Sequence, residues 1–257
     1  PNGVYHYAQG ESGNLQLISQ WADNQALLKG LTTTSVHYLL LDSQKRLWAG
    51  TRKGLHYYDR EKQAFQYLNY PIEQNKNLTA DTSFVYCLLE VDDEIWMGTK
   101  AGIYRLDEQN KCFRVENESI LSVYCLAQDA NGQVWAGTGT GLFRVGKYSY
   151  EQYQADFTEA NGLKDNTIMG IQDDGNGNLL LATLGAGLTK FNQAKKTFRE
   201  FNKQANIISN NSYGTLLTTK GIWVSTLRGI SFLPNGTELF INITKENGMP
   251  LPELNQN

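Results

Sequence analysis

The sequence predicts an all-β fold: a β-propeller segment, a partial ring of about five four-stranded blades with part-blades at its ends. Three observations predict it. A hydrophobic-x-small-Thr signature recurs as Trp48-Ala-Gly-Thr51, Trp96-Met-Gly-Thr99 and Trp135-Ala-Gly-Thr138, with weaker copies at Leu180-Leu-Ala-Thr183 and Trp223-Val-Ser-Thr226. The five threonines stand 48, 39, 45 and 43 residues apart, within the roughly 40–50 residues of a propeller blade. No helical periodicity separates the copies, so a β/α solenoid is excluded.

Each unit reads as four strands. A β-rich run comes first: Val36 to Leu41, Val85 to Leu89, Val123 to Ala127, Ile168 to Ile171 and Tyr213 to Leu217. A polar turn follows, as in Asp129-Ala-Asn-Gly-Gln133, where Asn and Gly accept the positive φ of tight hairpins. The signature strand is next, then a short turn ending in Gly54, Gly102, Gly141, Gly187 or Gly229. A third strand follows each glycine, and an outer strand such as Ala64 to Leu68 or Thr197 to Phe201 closes the unit. Trp48, Trp96, Trp135 and Trp223 supply large apolar faces to wedge between sheets. The residue two positions on is small (Gly50, Gly98, Gly137, Ala182, Ser225), which marks close backbone approach.

The units fall at about 32–70, 80–117, 119–155, 165–203 and 210–245, after a partial unit at 1–31. Residues 246–257 read as an inter-blade segment. Gly3-Val-Tyr-His-Tyr7 matches a third strand without its first two, and the chain opens on Pro1 without Met. The expectation is an excerpt of a longer propeller.

Composition narrows the function classes. With 23 Lys+Arg against 26 Asp+Glu the charges nearly cancel, and no basic run stands ready to neutralise a phosphate backbone. Nucleic acid is therefore not an expected partner. No apolar run approaches a membrane span, so no membrane contact is expected of this segment. Three cysteines, Cys87, Cys112 and Cys125, form no C-x-x-C pair, which removes zinc-ribbon and dithiol redox motifs.

The stretch Asp129-Ala-Asn-Gly-Gln-Val-Trp-Ala-Gly-Thr-Gly-Thr-Gly-Leu-Phe-Arg144 resembles the two-component regulator propeller repeat, D-x-x-G-x-L-W-I-G-T-x-x-G-L-x-R. The resemblance spans roughly residues 31–245 and is weakest at 168–191, where Leu180 replaces Trp and Ala182 replaces Gly. Asn247-Gly-Met-Pro-Leu-Pro-Glu-Leu-Asn255 and Gly30-Leu-Thr-Thr-Thr-Ser-Val36 resemble the segments that separate such blades. The resemblance implies the periplasmic sensor region of a hybrid two-component histidine kinase of Bacteroidetes. It further implies an oligosaccharide ligand, control of glycan-utilisation genes, a homodimer in the intact sensor, and no catalysis or cofactor in this segment. A protein-interaction scaffold stays open as an alternative, as does a propeller lyase or glycosidase.

Gly137-Thr-Gly-Thr-Gly141 looks like a phosphate loop, but it sits where other units have Gly50-Thr-Arg-Lys-Gly54, and no helix follows. Asp174-Gly-Asn-Gly-Asn178 imitates a calcium loop without its later Gly and Glu, so a hairpin turn is the better reading. His6, His37 and His56 show no metal-ligand spacing and read as structural. In an up-and-down blade, the turn between strands two and three shares a face with the loop between blades. That face collects Arg52, Lys53, Lys100 and Arg228 from turns, and Tyr70, Phe84 and Phe157 from the 69–84 and 155–167 connections. Their chemistry suits a glycan, because rings stack on sugar faces and Arg forks grip carboxylate or sulfate.

Overall fold

The signature threonines explain why every repeat turns where it does. In a computed structural model of the chain, Thr51, Thr99, Thr138, Thr183 and Thr226 are all 0–1% exposed. Each hydroxyl donates to the carbonyl of the glycine that opens the next strand: Thr51 to Gly54 at 2.8 Å, Thr99 to Gly102 at 2.9 Å and Thr138 to Gly141 at 2.9 Å. Thr183 meets Gly187 at 3.0 Å and Thr226 meets Gly229 at 2.9 Å. Each hydroxyl also accepts a turn N–H, such as that of Thr140 at 2.9 Å. One buried hydroxyl thus serves as both donor and acceptor for a reversing backbone. Gly141 has φ +128°, and a Cβ there would lie 2.3 Å from the Tyr153 carbonyl oxygen, so only glycine fits.

The described residues are 4–9, 15–21, 30–31, 33, 35–68, 84–107, 112–115, 120–146 and 149–244. They form two units, Pro1–Ile120 and Leu121–Asn257. The first holds the antiparallel pair β1 (Val4–Gln9) and β2 (Leu15–Trp21). Its two four-stranded blades are β3 (Val36–Leu41), β4 (Leu47–Thr51), β5 (Gly54–Asp59), β6 (Ala64–Tyr67), and β7 (Val85–Val91), β8 (Glu94–Thr99), β9 (Gly102–Leu106), β10 (Cys112–Arg114).

The second unit holds three blades. These are β11 (Val123–Gln128), β12 (Val134–Thr138), β13 (Leu142–Val145), β14 (Tyr150–Tyr153); then β15 (Ile168–Asp173), β16 (Asn178–Thr183), β17 (Leu188–Asn192), β18 (Thr197–Phe201). The last is β19 (Ser212–Thr218), β20 (Gly221–Thr226), β21 (Gly229–Pro234), β22 (Ile241–Ile243). Every blade runs its strands in sequence order with antiparallel pairing, the up-and-down pattern of a β-propeller blade. Within each unit the first strands of successive blades adjoin: β3 with β7, and β15 with both β11 and β19.

Tryptophan joins blade to blade in both units. Trp48 is buried among Val85, Leu88, Ile95, Met97 and Leu106 of the following blade. Trp135, 2% exposed, packs on Ile168, Leu179, Leu181, Phe191 and Phe198, meeting Phe191 edge-on at 5.7 Å. Where Leu180 stands in place of Trp, it is buried with Val224 and Leu233 of the next blade, and Phe201, Ile207 and Phe240 supply the missing volume. Trp223 differs: it is half-buried and stacks on Phe232 of its own blade at 4.4 Å. The small residue of the signature lets blades approach, since a Cβ on Gly137 would lie 2.4 Å from the Cys125 sulfur and 2.9 Å from the Ile168 carbonyl.

An aspartate opening the first hairpin anchors the indole. Asp129 accepts the N–H groups of Asn131 at 2.9 Å and Gln133 at 3.0 Å on one oxygen, and the Trp135 indole N–H at 2.9 Å on the other. Asp42 does the same for Arg46 and, at 2.8 Å, Trp48. Burial pushes the Asp42 carboxyl up, but bonds from Trp48 and Arg46 outweigh it and hold the group below its ordinary 3.8. Between β7 and β8 the hairpin is only Asp92-Asp93, both at positive φ, and leaves no place for this aspartate. The Trp96 indole nitrogen accordingly has no hydrogen-bond partner among the described residues. Asp174, in the calcium-like stretch, spends its carboxylate on Asn176, Asn178 and Lys190 as a hairpin cap.

Carboxylates also latch neighbouring blades. Glu90 of β7 accepts from the Ser43 N–H at 2.8 Å and hydroxyl at 2.5 Å in the preceding hairpin. Asp173 of β15 accepts from the Ala130 N–H at 2.8 Å in the equivalent place.

Three predictions test this frame. Trp135→Ala loses about 3–5 kcal/mol of stability, and a melting shift of a degree or less would contradict the wedge. Asp129→Ala costs about 1.5–3 kcal/mol, the worth of hydrogen bonds to a charged group. In a double-mutant cycle with Trp135→Phe, which removes the indole N–H, the two losses sum to less than additive; strict additivity would show that the bond carries no energy. His56 is fully buried beside Tyr67, and burial lowers its pKa from 6.5 to about 4, a hydrogen bond to the Gly54 backbone opposing weakly. The unfolded chain therefore binds the extra proton first. Stability is full above pH 6.5, falls by about 3 kcal/mol as pH drops towards 4, and levels off below. Urea titrations across that range should show a slope that His56→Phe flattens.

Candidate functional site

Where the chain enters each blade, the first strand slips register by one residue. The extra residues are His37, Tyr86, Tyr124, Met169 and Tyr213, each lying between two properly paired neighbours. A bulge leaves its residue outside the ladder and re-aims its side chain. All five are exposed or half-exposed. They stand at the same strand ends as the threonine–glycine turns, which are tied to this entry face by backbone bonds such as Arg52 N–H to Ser35 at 3.0 Å and Leu184 N–H to Thr167 at 3.1 Å.

In the first unit these features converge on one cluster. Phe84 stacks on the His37 imidazole with centroids 4.7 Å apart and planes at 27°. Phe84 and Tyr86 stand 4.6 Å apart, and His37 and Tyr86 6.1 Å. The Arg52 guanidinium lies over Phe84 at 5.7 Å, a cation–π contact. Burial first, and the Arg52 charge second, hold His37 below its ordinary 6.5, so its ring is neutral at neutral pH. The result is an aromatic shelf with a guanidinium at its edge and an imidazole that can donate or accept a hydrogen bond.

The structure brings together two of the seven predicted site residues, Arg52 and Phe84. Lys53 and Lys100 are exposed in the same two blades; the Lys100 N–H donates to the Phe84 carbonyl at 3.3 Å. Tyr70 lies outside the described residues. In the second unit, Arg228 sits exposed in its threonine turn, and Phe157 is 76% exposed with Lys164 at 6.0 Å over its ring. The Phe157 loop is braced by Asp156, which caps Thr158 and Glu159, and by Lys164, which donates to the Asp156 carbonyl at 2.8 Å.

His37, a structural histidine by the sequence reading, lies at the surface, where it stacks on Phe84 beside Arg52. Tyr86, Tyr124 and Tyr213 have no role in the sequence reading; their signal is an aromatic recurring one place before the position of Cys87, Cys125 and Gly214. Cys125 itself donates weakly to the Ile168 carbonyl at 3.7 Å, and burial pushes its thiol up to about 12, so it is unreactive at neutral pH. Among the described residues no group of His, Cys, Asp and Glu is arranged to hold a metal ion, and no helix is long and apolar enough to cross a membrane.

The family model "Two component regulator propeller" matches residues 30–53 and 117–140. Each match starts before a bulged first strand and runs through the signature. No curated protein sequence matches the chain significantly. Among solved structures, the chain is similar to an extracellular domain assigned to a hybrid two component system of B. thetaiotaomicron: 24% identity, TM-score 0.73, covering 98% of this chain and 34% of that one. A second such domain from the same organism matches at 18% identity and TM-score 0.53, over 94% of this chain and 38% of that one. PorZ, a surface component of the type-IX secretion system of Porphyromonas gingivalis, matches at 16% identity and TM-score 0.64, over 92% and 36%. The chain thus spans little more than a third of the structures it resembles. Two stretches of the chain thus match the two-component regulator propeller repeat, and they fall on the first and third of its four-stranded blades, whose fold is similar to that of these extracellular domains.

Proposed function

We propose that the chain is a non-catalytic input segment of an extracytoplasmic two-component signalling protein, and that it recognises an oligosaccharide on its entry face. The observation that carries the reading is the cluster of Arg52, His37, Phe84 and Tyr86, where three rings and one guanidinium share an accessible surface. Aromatic faces suit the C–H faces of pyranose rings, and a guanidinium fork suits hydroxyl, carboxylate or sulfate oxygens. The matched repeats and the likeness to extracellular domains of hybrid two component systems support an input role.

In this reading the ligand binds one arrangement of paired subunits more tightly than another, and the rest of the parent protein carries that bias to genes for glycan use. A tenfold preference corresponds to about 1.4 kcal/mol, so a modest set of stacking and hydrogen-bonding contacts suffices to shift the balance measurably.

The test is a calorimetric or glycan-array screen of the intact protein, followed by the double variant Arg52→Ala/Phe84→Ala. The expected outcome is at least a tenfold loss of affinity for whichever saccharide binds, with the melting temperature little changed. Affinity equal to wild type, or silence across all saccharides alongside capture of a protein partner, would favour the interaction-scaffold reading instead.

A further inference from the structure

At the opposite strand ends of the second unit lies a pocket of about 310 Å³, near the lower end of the roughly 300–1,000 Å³ of small-molecule sites. It forms where the β11–β12 hairpin, β13 and β14 of one blade meet the β15–β16 and β17–β18 turns of the next. Its apolar wall is Trp135 and Tyr153, 6.2 Å apart. The indole N–H is already taken by Asp129 and the Tyr153 hydroxyl by Glu151, which leaves the two ring faces as the apolar part of the wall.

Around that wall stand Asn131, Gln193, Arg144 and Lys196, with no acidic side chain in the lining. Gln193 is fixed by its own N–H, which donates to the Gly177 carbonyl at 3.1 Å. Its side-chain amide nitrogen is buried and has no partner among the described residues. A buried donor of that kind asks for an acceptor. Arg144, part of the lining, uses Nε on Gln133 at 3.0 Å. Glu151, outside the lining, binds Lys196 at 2.6 Å and stands 4.0 Å from Arg144, so two cations share one carboxylate. The site therefore holds surplus positive charge, an unused amide donor and one flat apolar surface.

We propose that this pocket binds a single acidic sugar residue, a pyranose bearing a carboxylate. The carboxylate faces Arg144 and Lys196, a hydroxyl or ring oxygen accepts from Gln193, and the C–H face lies on Tyr153. The choice of a pyranose rests on the saccharide reading above; the preference for an anion rests on the lining alone.

The experiment is a titration of the full chain with glucuronate, glucose and acetate, following the Trp135 indole and Gln193 side-chain amide signals by NMR. Glucuronate should produce saturable shifts at both, with glucose and acetate at least tenfold weaker. Arg144→Gln, at an exposed position, and Gln193→Leu, checked for folding by circular dichroism, should each weaken glucuronate at least tenfold. Arg52→Ala/Phe84→Ala should leave it unchanged. Absence of saturable shifts, or equal affinity in the Arg144→Gln and Gln193→Leu variants, overturns the proposal. If glucuronate affinity falls only in the Arg52→Ala/Phe84→Ala variant, this pocket is ruled out while the entry-face site stands.

Discussion

One buried hydroxyl per repeat determines where everything else can go. The signature threonine closes its turn by donating to the glycine carbonyl and accepting a turn N–H, as at Thr138. Without that pairing, the buried glycine carbonyl would be left desolvated and unsatisfied. Because the hydroxyl fixes both the end of the second strand and the start of the third, the residues between them always project from one face. Arg52 and Arg228 both lie in such turns, between a threonine and a glycine that are bonded to each other.

The blade architecture was legible because its determinants are local and repeated. Trp135, Gly137, Thr138 and Gly141 each answer a constraint inside or next to one blade: a wedge, a close approach, a turn bond, a positive φ. The aspartate–indole bond was half legible, since Asp129 falls at the start of the resembling repeat but its second oxygen's role appears only once Trp135 is placed six residues on. The bulges were not legible. A one-residue slip leaves composition and repeat length untouched, so His37 reads as another polar residue within a strand although it stacks on Phe84 from the following blade.

The same reasoning explains why the pocket beside Trp135 gives no signal in the sequence. Asn131 and Gln193 lie in hairpins of adjacent blades, 62 positions apart, and neither belongs to the repeated signature. Signature residues set the distance between sheets, while residues outside it line whatever gaps remain. Legibility thus divides along the chain: positions that repeat announce themselves in the sequence, and those that line the gaps between sheets do not.

The slipped residue at the head of each first strand has an evolutionary consequence. The slipped residue stands outside the strand ladder, so Tyr, His and Met all occur there within one chain without altering the pairing on either side of it, as His37, Tyr86 and Met169 illustrate. Side-chain identity at that position is thus free to vary from blade to blade, while strand pairing is left to its neighbours.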